Sequence, residues 1–253
     1  MTNLLTAAQM RAIEQAAIES GEVSGLELME RAGAGVVEAI LEEWPDMAKT
    51  PQKAVVLCGP GNNGGDGFVV ARLLNARGWE VEVFLYGEVE KLPPDAKVNA
   101  QRWLEVGKVH AACPSSGQGL YPAKCDVLVD AVFGTGLKRP VDNPCLWEWF
   151  WLIDDAVDVL ALEDATPDEA DGVVWRAART VAVDMPSGLS ADTGVVLGDE
   201  PMHGLRAPRV MLTVTFHAAK QGHHLAEGPL LSGRLVVCDI GLGKWRSVAE
   251  GIQ

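Results

Sequence analysis

The sequence predicts an α/β protein in three layers, with a mostly parallel central sheet and helices on both faces. Three observations predict it. Short runs that are apolar almost throughout, such as 54–58 (AVVLC) and 126–133 (DVLVDAVF), recur along the chain; strands of a parallel sheet are buried on both faces and read this way. Stretches of helical periodicity separate the runs, as crossover connections between parallel strands require. Glycine-rich or acid-bearing turns follow three of the runs, where open parallel sheets place their ligands.

The elements follow in order. Thr6 with Gln9, and Ser24 with Glu27, each fit a capping box, in which side chain and backbone satisfy each other's free groups. They predict helices over 7–19 and 25–44, the second with Leu28, Val36, Ile40 and Leu41 on its buried face. Pro45 and Pro51 bracket a loop before the strand at 54–58. A glycine-rich turn over 59–67 leads to a helix over 68–77, which Gly78 can stop by adopting a left-handed conformation. Residues 80–86 (EVEVFLY) alternate as a strand, and 94–106 read as a helix. Further strands are predicted at 126–133, 180–184 (TVAVD), 210–216 and 234–239. Trp147, Trp149, Phe150 and Trp151 read as a helix that turns its aromatics inward. From Pro140 to Trp175 there are ten carboxylates and no Lys or Arg. This stretch is read as a solvated acidic insertion around 150–175 in a single domain spanning 1–253; a partner surface is the sharper alternative.

Composition narrows the function classes. The 253 residues are 48% hydrophobic, enough to bury a real core, and the formal charge of −14 disfavours nucleic acid as a ligand. An anionic nucleotide stays open, because backbone N–H groups at a helix N-terminus can hold phosphate without Lys or Arg. Five cysteines without a CxxC pair read as reduced thiols. The N-terminus has no charged-then-apolar signal pattern, and no apolar run approaches the roughly 18 residues of a membrane span. A cytoplasmic location is expected.

Three motifs carry the chemistry. The first, CGPGNNGGDGFVVAR at 58–72, passes from strand through glycines into helix. That arrangement aims N–H groups and a helix dipole at one point. No Gly-Lys-Ser/Thr follows, so it is not a P-loop, and the GxGxxG match at Gly59, Gly61 and Gly64 is weak alone. Asn62, Asn63 and Asp66 among the glycines are more than a tight turn needs. The second, VDAVFGTGLKRP at 129–140, places Asp130 in an otherwise apolar strand; a buried carboxylate needs a cation or several donors. Gly134 to Gly136 let the backbone approach a ligand, with Lys138 and Arg139 supplying positive charge. The third, VAVDMPSGLSADTG at 181–194, ends a strand on Asp184 and turns through Pro186, Ser187 and Gly188. Asp130, Asn63 and Ser187 offer hard oxygens for a small cation, which leaves Asp184 for proton transfer. The pair His223-His224 reads as surface, and Cys58 as core filler rather than a nucleophile.

Together, GNNGGDG at 61–67, DAVFGTGL at 130–137 and VDMPSGLSADTG at 183–194 resemble the NAD(P)H-hydrate epimerase family, also known by its YjeF N-terminal domain. The stretch TVTFHAAKQG at 213–222 is similar to the family's final strand and turn. The resemblance implies a Rossmann-like fold, a homodimer and an isomerase acting on hydrated NADH or NADPH. It implies that Asn62, Asn63, Gly64, Gly65 and Asp66 hold the nucleotide. Gly134, Thr135, Gly136, Leu137, Lys138, Arg139 and Pro140 are implied to contact it too, with Asp184 beside the reacting ring. Asn63, Asp130 and Ser187 match the family's site for one K⁺ ion per subunit, and no redox cofactor is implied. An ADP/ATP-dependent NAD(P)H-hydrate dehydratase is the implied functional partner.

The expected chemistry follows from the substrate. Its C6 carries a hydroxyl beside the ring nitrogen, whose lone pair can expel that hydroxyl and leave an iminium. Water then returns to either face. Asp184 is the expected acid/base group, and its replacement by Asn is expected to leave folding largely intact. Lys138 is its expected neighbour, placed to tune Asp184, orient water or bind phosphate. Two other function classes fit parts of the sequence. One is a non-catalytic nucleotide- or RNA-binding dimerisation module. The other is an NAD-dependent dehydrogenase, with Glu80 or Glu82 as the acid about 20 residues beyond the turn that would hold the ribose.

Overall fold

The computed structural model describes residues 4–113, 125–160, 178–198 and 205–252. Within them the helices are α1 (Ala7–Glu19), α2 (Gly25–Glu43), α3 (Asn62–Ala76), α4 (Pro94–Leu104), α5 (Pro144–Leu160) and the short α6 (Gly228–Leu231). The strands are β1 (Lys53–Cys58), β2 (Glu80–Leu85), β3 (Val109–Ala111), β4 (Val127–Ala131), β5 (Arg179–Val183), β6 (Leu212–Phe216) and β7 (Arg234–Cys238). All pair in parallel, in the order β3-β2-β1-β4-β5-β6-β7. Short 3-10 turns link several of them.

Strand alternation divides the core between the two faces. Val56, Val129, Val181 and Val214 pack with Ile13 of α1, Ile40 of α2, Phe68 of α3 and Trp103 of α4. Their neighbours Val55, Leu57, Leu128 and Ala182 point the other way, onto Leu146, Trp149, Phe150 and Ile153 of α5. The α/β Rossmann-like architecture expected from the apolar runs is what forms. The order reverses beside β1: β2 and β3 lie on one side, β4 on the other. Such a switch point opens a ligand crevice at the carboxyl ends of the strands.

Local signals account for the helix starts. Thr6 and Gln9 form the full reciprocal capping box, whereas Ser24 accepts from the Glu27 N–H without the return bond. The larger surprise is α3. It starts at Asn62, so most of the predicted glycine turn is the helix's first two turns. Its glycines serve close packing rather than a loop. A Cβ on Gly64 would lie 2.0 Å from the Gly59 carbonyl oxygen, and one on Gly65 would lie 2.9 Å from the Ala96 Cα of α4.

Other expectations need correction. Cys113 and Cys145 form a disulfide, so only Cys58, Cys125 and Cys238 are free thiols among the described residues. The end of β3 and the start of α5 come together there, with Cα atoms 5.7 Å apart across 32 residues of sequence, a proximity no local spacing signals. Trp151 is 46% exposed, while Trp149 and Phe150 are buried. Most of the acidic stretch, 161–177, lies outside the described residues. No described helix is long and apolar enough to cross a membrane.

Candidate active site

The three motifs meet at one backbone position. β1 runs through Gly59 into α3, and the Gly59 N–H donates to the carbonyl of Ala131 at the end of β4 (2.9 Å). Beyond β4, a Cβ on Gly134 would stand 2.9 Å from both Asn63 Oδ1 and Asp184 Oδ2. Only hydrogen fits there without displacing one of them. The Thr135 N–H donates to Asp184 Oδ2 (3.0 Å), and the Leu137 N–H to the Gly134 carbonyl (3.2 Å). The rest of this turn opens outward: Gly136, Lys138, Arg139 and Pro140 are exposed. Asn62 is exposed at the first position of α3, and the side-chain nitrogen of Asn63, Nδ2, is buried without a partner among the described residues.

Among the described residues, Asp130 meets only neutral donors. Its register partners are Leu57 of β1 and Ala182 of β5, and it is fully buried. The Ser187 hydroxyl donates to Oδ1 (2.6 Å), the Ser187 N–H to Oδ2 (2.8 Å) and the Val132 N–H to Oδ1 (3.2 Å). The same hydroxyl accepts from the Phe133 N–H (2.9 Å), tying the second turn to the third. Burial pushes the Asp130 carboxyl up to about 6, although these donors pull it down.

Asp184 is held differently. The Met185 N–H donates to the Val183 carbonyl (2.8 Å), closing a three-residue turn around Asp184 at φ 67°. A non-glycine residue in that region stores strain that the surrounding structure must hold. Lys220 Nζ, 1% exposed, donates to Asp184 Oδ1 (2.7 Å), Thr215 Oγ1 (2.7 Å) and the Phe216 carbonyl (3.1 Å). Thr215 donates in turn to Asp184 Oδ1 (2.9 Å). Burial alone would raise the Asp184 carboxyl, but the Lys220 ammonium outweighs it and holds the group below its ordinary value. His223 completes the frame. Its Nδ1 accepts from the Lys220 N–H (3.0 Å), so Nε2 carries the proton and donates to the Asp184 carbonyl (2.9 Å). Burial lowers this imidazole to about 4, so it stays neutral.

Two further carboxyls face Asp184. Asp66 of α3 is raised by burial and by the charges of Asp184 and Glu14. Glu14 of α1 is raised to about 7 by burial and then by Asp184. Sequence reasoning found Asp66 but missed Glu14, which reads as an ordinary polar position on an amphipathic helix. It also missed Lys220, Thr215 and His223. The cation against Asp184 is Lys220 rather than Lys138, which is exposed and makes no hydrogen bond or ion pair among the described residues. His223 is buried, not on the surface. One signal was available: a lysine just beyond an apolar strand, in the stretch 213–222. Cys58 is fully buried and its thiol is pushed up by that burial, as core filler should be. Glu80 and Glu82 sit at the start of β2 and bind Lys53 (2.9 and 2.7 Å), at the end of the strand opposite to where a ribose acid would be needed.

Comparison with known proteins agrees with this architecture. The family described as YjeF-related protein N-terminus matches residues 25–222, which leaves α1 outside the match. An NAD(P)H-hydrate epimerase of Rhodobacter capsulatus is 46% identical over 227 residues, covering 88% of this chain and 92% of that protein. A bifunctional NAD(P)H-hydrate repair enzyme of Coxiella burnetii is 34% identical over 251 residues, which is 96% of this chain but 42% of the longer protein. The crystal structure of yeast ynu0 superposes with a TM-score of 0.64 at 24% identity, over 89% of this chain and 85% of that one, and shows the shared fold. With the family match and these relatives spanning most of its length, the chain belongs to the YjeF-related protein N-terminus family.

Proposed function

We propose that this chain is an NAD(P)H-hydrate epimerase, an isomerase that interconverts the R and S hydrates of NADH and NADPH for nicotinamide nucleotide repair. The observation that carries the reading is the convergence at Gly134, where Asn63 of the first motif and Asp184 of the third face the backbone of the second. Relatives that match this chain over most of both lengths are epimerases by name. Asn62, Asn63, Gly64, Gly65 and Asp66 hold the dinucleotide at the N-terminus of α3, whose free N–H groups and dipole favour phosphate. The exposed turn from Gly134 to Pro140 covers it, and Lys138 serves as a phosphate contact there.

Asp184 lies beside the reduced ring. It takes a proton from water adding to the iminium, and the departing hydroxyl is protonated from the raised Asp66 and Glu14 carboxyls, which recover that proton from Asp184. A positioned group of this kind contributes on the order of 10²–10⁴-fold. No redox step is needed.

Asn63, Asp130 and Ser187 would hold a K⁺ ion. The donor set fits: Asp130 is a buried carboxylate whose partners among the described residues are all neutral, and Asn63 and Ser187 add an amide and a hydroxyl oxygen. The ion would neutralise that charge and brace the first and third turns against each other. The acidic segment around 150–175 is read as an insertion in one domain. We infer a homodimer, with Leu230 of α6 and Val237 of the edge strand β7 offering exposed apolar surface. An ADP- or ATP-dependent dehydratase acting on the S hydrate is the functional partner; relatives twice this length are named bifunctional NAD(P)H-hydrate repair enzymes, which supports a second activity beside this one. A cytoplasmic location suits a charged nucleotide substrate, although the Cys113–Cys145 pair is unusual there.

The test is direct. A mixture of R and S hydrates is given to an S-specific dehydratase, with and without this protein. Consumption is expected to stop near the S fraction without it and to run to completion with it. Consumption that stops at the same point in both would refute the assignment.

A further inference from the structure

We propose that Lys220 is a positioning residue for the epimerisation: pinned from three sides, it holds the Asp184 carboxylate as a fixed anion, so that Asp184 rests as the proton acceptor of the site. The proposal deepens the epimerase reading and rests on it.

The geometry carries the argument. Lys220, Thr215 and Asp184 form a closed triangle of hydrogen bonds, with Lys220 Nζ and Thr215 Oγ1 both donating to Asp184 Oδ1. Among the described residues, the one hydrogen bond to the other oxygen, Oδ2, comes from the Thr135 N–H in the substrate-side turn. One oxygen is therefore committed to the protein interior, and the other points toward Gly134. Lys220 itself cannot swing away. The chain before α1 runs alongside it: the Leu5 N–H donates to the Ala219 carbonyl (3.0 Å) and the Gln221 N–H to the Leu5 carbonyl (3.1 Å). His223 grips the Lys220 N–H and the Asp184 carbonyl at once, spanning the strained turn. An ammonium 1% exposed is otherwise a costly thing to bury, and a purely structural role would be met as well by an apolar side chain.

The charged surroundings make the assignment specific. Asp184 is faced by Lys220 and His223 from the segment after β6, by Asp66 from α3 and by Glu14 from α1. Burial works against the Asp184 anion, and Lys220 is the group that favours it most, by its charge and its hydrogen bond. Asp184 is thus shifted down while Asp66 and Glu14 are shifted up. Pairs of acids driven apart in this way mark the acceptor and donor of a proton-transfer site.

The experiment uses Lys220→Met, Thr215→Val and the double variant Asp184→Asn/Lys220→Met in the full chain. The ¹³C signal of the Asp184 carboxyl is followed with pH, beside the pH–rate profile of epimerisation. In Lys220→Met the carboxyl titration and the acid limb of kcat are both expected to move up by at least one pH unit. Thr215→Val is expected to give a smaller shift in the same direction, which serves if Lys220→Met does not fold. The double variant is expected to melt higher than Lys220→Met while remaining inactive. A carboxyl titration and an acid limb unchanged in both single variants would overturn the proposal. An inactive wild type would instead overturn the epimerase reading, and the carboxyl titration would still decide whether Lys220 sets the charge of Asp184.

Discussion

Asp130 and Asp184 stand at the carboxyl ends of neighbouring strands, both in apolar surroundings, and they meet opposite company. Asp130 is held by two groups of Ser187 and one backbone N–H, all neutral, and burial raises it to about 6. Asp184 meets an ammonium and is lowered. The lesson is that position at a strand end does not assign a role. An acid short of charge is a place for a cation, whereas an acid with its own lysine is already an anion available for chemistry.

The largest expected effect comes from breaking the second arrangement. Asp184→Asn is expected to lower kcat by about 10²–10⁴-fold, measured on the hydrate mixture. The structure also corrects the expectation that this variant folds untroubled. It strands the Lys220 charge in the interior, and losing one member of a buried pair typically costs about 3–5 kcal/mol. Urea titration should therefore show a clear loss of stability beside the loss of turnover; full stability would mean that the Lys220 charge is relieved in the variant without Asp184.

Gly134→Ala sharpens the contrast, because its methyl group presses on Asn63 Oδ1 and Asp184 Oδ2 and not on Asp130. A displacement of about 1 Å at a reacting group can lower turnover on the order of 10²-fold. Turnover is expected to fall by about 10–100-fold with little change in melting temperature. A variant with normal kcat would mean that Asp184 tolerates movement and is not held to a fixed geometry.

The smallest effect tests Asp130. A carboxyl raised in the folded state contributes stability that is fully present below its unfolded value and is lost as pH rises through about 6. Replacing choline chloride by KCl at constant ionic strength should recover that loss. The melting temperature is expected to rise by a few degrees at pH 8 and by less at pH 5, since a ligand at 100 times its Kd adds about 2.7 kcal/mol. Equal melting curves in the two salts at pH 8 would remove K⁺ from this site. For Asp184 the sign is opposite: its contribution is present above its unfolded value and is lost as pH falls into the acid range.

How much was legible divides along the same line. The strands from 54 to 239 announced themselves, because a strand buried on both faces must be apolar along its whole length. The turns at 61–67, 130–137 and 183–194 were visible because polar and glycine residues cluster within a few positions of each other. Ser187 with Asp130 could be paired in advance on the same grounds. The start of α3 was misplaced by six residues, since glycines that let a helix approach a strand look the same in sequence as glycines that make a loop. Glu14 was invisible for a different reason, and Lys220 showed only as a lysine just beyond an apolar strand. Each is a single charged residue, and nothing local marks it as buried.

The amino-acid sequence by itself determined the layered α/β fold, the order of the three motifs and the identity of the acids at the strand ends, because these follow from local patterning of apolar, glycine and acidic residues. Only the tertiary structure decided which cation meets Asp184, that Glu14 joins Asp66 against it, and that Cys113 reaches Cys145. Those facts depend on contacts across 32 to more than 150 residues of chain, and the desolvation and Coulomb terms that give them chemical meaning exist only once the chain has closed around them.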